Sequence, residues 1–116
     1  MNKVKYFLLV FLLSPLTSFG YPKEVGNITH LQVHQNPNGD SYFFVALDSS
    51  IANPACVNAS DTWLGDLQNE AHKAQYSTLL AAYLSGKEVY LEGTDGSSNC
   101  HHTWHKLRNV YIEWAK

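Results

Sequence analysis

The chain has 116 residues, 45% hydrophobic and 13% aromatic, with eight basic and ten acidic side chains and a formal net charge of −2 when its six histidines are neutral. That length holds one small domain and no second. The charge balance offers no basic stripe for a phosphate backbone, which excludes nucleic acid as the expected partner.

Residues 1–20, MNKVKYFLLVFLLSPLTSFG, place Lys3 and Lys5 ahead of an apolar run from Tyr6 to Leu13, followed by Pro15 and the small residues Ser18 and Gly20. This is the three-part layout of a secretory signal peptide. The run is far shorter than the roughly 20 residues a spanning helix needs, so the mature form is expected to have no membrane span. Cleavage after Gly20, with Ser18 as the alternative, leaves residues 21–116 as a single domain in which six basic residues face ten acidic ones. The expected location is therefore outside the inner membrane, either periplasmic or fully secreted.

Along the mature chain, VGNITHLQVH alternates Leu31 and Val33 against His30, Gln32 and His34, the pattern of a half-buried strand. NPNGD at 36–40 is a cluster of turn formers, and SYFFVAL then supplies a second strand, so the two predict a hairpin. After a polar, irregular stretch from Asp48 to Ser60, DTWLGDL predicts a short third strand around Trp63 to Leu67. Asn69 fits a helix cap, and EAHKAQYSTLLAAYLSG predicts a helix with Tyr76, Leu79, Leu80 and Tyr83 along one side and a terminating Gly86. KEVYLEG alternates as a fourth strand, TDGSSN is a turn or short loop, and TWHKLRNVYIEWA gives a fifth strand with Leu107, Val110, Ile112 and Trp114 as its apolar residues. Positions 107 and 110 differ by an odd number, which predicts a bulge or late strand start near Arg108 and Asn109. The expected fold is mainly β with one helix, in the order β-β-β-α-β-β: a five-stranded OB-type small barrel, or a helix on a curled antiparallel sheet.

A mature chain of this size is marginal without help. Its two cysteines, Cys56 and Cys100, read as a disulfide in an exported protein. Closing the loop from residue 56 to residue 100 is worth about 4 kcal/mol in the chain-entropy model.

The densest stretch is SNCHHTWHKL at 98–107, with His101, His102, Trp104 and His105 beside Cys100. Once Cys100 is oxidised, only histidines remain to bind a metal. Strand alternation puts His101 and His105 on one face and His102 on the other, while His30 and His34 are distant in sequence. A zinc site wants three or four converging ligands, so metal binding by these histidines is the weaker alternative and no cofactor is expected. The plainer expectation is a partly solvated start of a strand, with Trp104 packed and the histidines facing water.

The leader, the first hairpin, Cys56 before the third strand, LLAAYLSGKEVYLEG at 79–93 as helix, glycine and strand, and then Cys100 with a terminal strand form a recognisable layout. It resembles the small exported bacterial proteins that include the B subunits of subtilase-type and pertussis-like AB5 toxins. The resemblance covers most of the mature chain in layout; its specific part is 79–100 together with Cys56. It implies an OB-fold subunit that binds sialylated glycans within a pentameric ring, a Cys56–Cys100 disulfide, and Gly86 as the turn out of the helix. No glycan-contacting serine or tyrosine of those subunits matches a motif here, so function follows from fold analogy alone.

No GxSxG elbow, HExxH helix or phosphate-cradling glycine loop occurs, and the expected protein is not an enzyme. The leading expectation is an exported binding module for a glycan or protein ligand, possible as a homo-oligomer, with Trp63, Trp104, His101, His102 and His105 as candidate ligand contacts. The alternative is a monomeric periplasmic or envelope accessory protein. Surface clustering of Trp63, Trp104 and Trp114 favours the first.

Overall fold

The computed structural model describes residues 20–56, 61–94, 100–101 and 104–112. Residues 1–19 of the expected 1–20 leader, together with His102 and Trp114, lie outside the described residues. β1 (Lys23–Gly26) and β2 (Ile28–Gln35) are separated by Asn27 alone, and β3 (Ser41–Leu47) returns antiparallel to β2. β4 (Thr62–Asp66), the helix α1 (Glu70–Ser85) and β5 (Val89–Glu92) follow, then β6 (Cys100–His101), β7 (Trp104–Lys106) and β8 (Asn109–Tyr111).

These strands form a five-stranded sheet, β2-β3-β4-β7-β6, and a three-stranded one, β1-β5-β8. Two chain segments run through both sheets. β1 continues into β2 past Asn27, and β7 continues into β8 past Leu107 and Arg108. Pairing therefore goes round a ring, from β2 to β3, β4 and β7, along the chain to β8, then to β5 and back to β1. That is the five-segment connectivity of an OB-type barrel. β4 and β7 are parallel, so the sheet is not the purely antiparallel one of the alternative fold. The other differences from the expected string are the added β1, the short β6, and the splitting of the last strand where its apolar phase changes.

At that split the chain changes partners within one residue. The Leu107 N–H donates to Leu64 O on β4, and the Arg108 N–H to Glu92 O on β5. Their carbonyls are met by the helix: Leu107 O lies 2.8 Å from His72 Nε2, and Gln75 Nε2 donates to Arg108 O. The Asp66 N–H donates to His72 Nδ1, which fixes the proton on Nε2 and makes the ring a bridge from β4 to the split strand. The first split is held from just past β3, where Asp48 N–H donates to Asn27 O and Asn27 N–H donates to Asp48 Oδ1. That backbone donor holds the Asp48 carboxyl below its ordinary range.

The barrel core comprises Phe43, Val45, Trp63, Leu79, Val89 and Leu91, all fully buried. Phe43 pairs with Gly65, and a Cβ at Gly65 would run into the Phe43 ring, so the ring lies flat across the glycine. α1 begins at Asn69, whose side chain accepts from the Ala71 and His72 N–H groups, and ends at Gly86 with φ 68°, a left-handed conformation that glycine adopts without a Cβ clash. Its buried stripe is Leu79 and Ala82, with Tyr76 packed beside them. The expected Leu80 and Tyr83 instead face outward, because Ala82 is the small residue that lets the helix approach the sheet. Val33, expected to be buried, is 51% exposed, because β2 runs on past the barrel with β3 as its only sheet neighbour. Cys56 and Cys100 form the expected disulfide, tying the loop before β4 to β6.

Candidate binding groove

Alternation along β3 sends Phe43, Val45 and Leu47 into the barrel and leaves Tyr42 and Phe44 on the outer face of the five-stranded sheet. On β2, His34 pairs with Tyr42 and Gln32 with Phe44; on β4, Leu64 pairs with Phe44. β6 and β7 bring in the fourth wall, since His101 pairs with Trp104. The Tyr42 and His101 rings lie 5.0 Å apart, and the Phe44 and Trp104 rings meet edge to face at 5.2 Å.

Two clefts flank the Phe44–Trp104 pair. One, of about 260 Å³, is lined by His34, Asn36, Tyr42, Leu64 and His101. The other, of about 310 Å³, is lined by His30, Gln32 and Thr62. Together they form a groove over the face and loops by which OB-type barrels hold oligosaccharides or oligonucleotides. Among the described residues, no lining side chain is a carboxylate, lysine or arginine. Partial desolvation, with Asp40 and Asp66 nearby, pushes the Tyr42 phenol up, so its hydroxyl stays a hydrogen-bond donor. On β2, His30 Nε2 lies 2.9 Å from Gln32 Oε1, and His34 Nε2 lies 3.1 Å from Asn36 Oδ1.

Of the expected contact residues, Trp104 and His101 stand together in the groove. Trp63 does not, being wholly buried, with its indole N–H donating to Glu24 Oε1 at 2.9 Å. His105 is also inside, 1% exposed and 5.4 Å from the Trp63 ring. The Ala55 and Cys56 N–H groups donate to its Nε2, which places the proton on Nδ1, an atom with no partner among the described residues. Burial pushes this imidazole down, with Asp61 acting the other way. His105 is thus a clamp on the disulfide loop.

The expectation that His101 and His105 share a face and point to water fails, because they sit on adjacent antiparallel strands with opposite phase, one outside and one inside. Among the described residues, no group of three His, Cys, Asp or Glu side chains is arranged to hold a metal. No described helix is long and apolar enough to cross a membrane. The groove residues missed in the sequence included Tyr42, Phe44 and the amides Gln32 and Asn36. Their signal was two aromatics on the polar phase of SYFFVAL, opposite a histidine-amide-histidine-amide run at 30, 32, 34 and 36.

Comparisons with protein-family models, curated proteins and solved structures found no match to this chain.

Proposed function

We propose that this is an exported, non-enzymatic binding module that holds a glycan in the outer groove, a role akin to that of the toxin B subunits it resembles. The observation that carries the reading is the Phe44–Trp104 pair standing in a groove whose other described lining residues offer amides, hydroxyls, imidazoles and the Leu64 side chain. Flat apolar rings suit the C–H faces of sugars, and the polar groups suit their hydroxyls. Among the described residues this lining has no lysine or arginine, which disfavours a polyanion such as nucleic acid.

The test is a glycan array probed with the oxidised protein, followed by tryptophan-fluorescence titration of any hit. A bound glycan whose affinity falls about tenfold or more in Trp104→Ala supports the reading. An array without hits overturns it.

The same reading expects association between copies. In support, Leu80, Tyr83 and Leu84 lie exposed on one side of α1. Light scattering of the oxidised protein checks this: a stable oligomer supports a ring-forming subunit, and a clean monomer favours the accessory-protein alternative.

A further inference from the structure

We infer that the groove takes a linear glycan of at least two sugar rings, laid across the Phe44–Trp104 partition, and not a single terminal sugar; this rests on the glycan reading above. Among the described residues, the two clefts share Phe44 and Trp104 and no other lining residue. Their volumes, about 260 and 310 Å³, sit at the lower end of ligand sites, so each suits one ring-sized group. The partition is built from two rings tilted 68° to each other, which gives each cleft an aromatic wall.

The polar groups are duplicated in the same way. Each cleft has one histidine-amide pair, His30 with Gln32 on β2 in one, and His34 near the end of β2 with Asn36 just past it in the other. Both pairs have the same two-residue spacing and the same contact, imidazole Nε2 to amide oxygen, which leaves the amide hydrogens unused by that contact. Residues four apart on a strand lie about 13 Å from each other, more than one sugar ring spans. A polymer with a repeating pattern of hydroxyls matches such a repeat; a single sugar engages one half of it.

The experiment titrates the oxidised protein with neutral linear glycans, using the mono-, di-, tri- and tetrasaccharides of cello-, chito- and N-acetyllactosamine series and following tryptophan fluorescence. In a series that binds, affinity is expected to rise about tenfold or more between the monosaccharide and the trisaccharide. Gln32→Ala and His101→Ala, one in each cleft, should each bring the trisaccharide back toward the monosaccharide's affinity, and both variants should melt like the parent. A monosaccharide that binds as tightly as its longer homologues overturns the two-cleft inference and leaves the glycan reading standing. No response to any member of any series overturns the inference, while the glycan reading stands or falls on the array.

Discussion

Glu24 is a carboxylate in the barrel interior, 3% exposed, with Oε1 accepting from Trp63 and Oε2 lying 2.8 Å from the Ser49 hydroxyl. Desolvation raises its pKa; the hydrogen bonds from Trp63 and Ser49 offset only part of that. Because the folded value lies above the unfolded one, its stabilising contribution is complete below the unfolded value and is lost as pH rises through the folded value. His105 has the opposite sign: its lowered folded value gives stability that is present above the ordinary histidine range and lost on acidification. Between neutral pH and the ordinary carboxylate range the two oppose each other. Glu24→Gln keeps an acceptor for Trp63, and Ser49 can donate to Val25 O while accepting from the new amide. Urea denaturation across pH should show Glu24→Gln more stable than the parent at pH 8, with the advantage shrinking as pH falls. Glu24→Ala should instead cost about 1–3 kcal/mol, because the buried indole N–H loses its partner. A Glu24→Gln protein less stable than the parent at pH 8 would contradict this account. None of these roles was legible in the sequence. Glu24 and Trp63 stand 39 positions apart, and nothing local marks them as partners.

At the scale of elements, the five expected strands and the helix were legible because each carries its own periodicity, and the break near Arg108 was legible from the phase change between Leu107 and Val110; β1 and the two-residue β6 were too short to show one. The inward side of α1 was not. Leu80 and Tyr83 fit the helical period as well as Leu79 and Ala82 do, and only tertiary packing distinguishes them. The polar residues on the inward side carry more of the docking than hydropathy shows. His72→Ala should destabilise by about 2–3 kcal/mol, since it strips partners from both the Asp66 N–H and the Leu107 carbonyl. Leu84→Ala, at a residue 75% exposed, should change stability by about 0.5 kcal/mol or less in a monomeric state. Chemical denaturation of the two variants separates these effects; equal losses would mean the helix docks on a different side. Gly65→Ala should cost about 1–3 kcal/mol or more, because the added methyl displaces Phe43 from the centre of the core.

For the whole molecule, the cysteine pair and the order of elements were enough to predict a mainly β, disulfide-closed domain. The sequence did not reveal that β4 and β7 pair in parallel, since that depends on where the chain re-enters the ring. It also did not separate His101 from His105, because the antiparallel step between β6 and β7 reverses their expected phase. Reducing the Cys56–Cys100 bond should lower unfolding stability by about 4 kcal/mol, read from denaturant midpoints with and without reductant. An unchanged midpoint would mean the unfolded chain gains little freedom from the cut. The bond also has a local position: Cys100 immediately precedes His101, and the Cys56 N–H is held by His105 immediately after Trp104. One wall of the groove is therefore fastened covalently to a loop on the far side of β7. On the proposed binding role, a chain with both thiols reduced is expected to hold its ligand less tightly than the oxidised one, because that wall is then fixed only by hydrogen bonds.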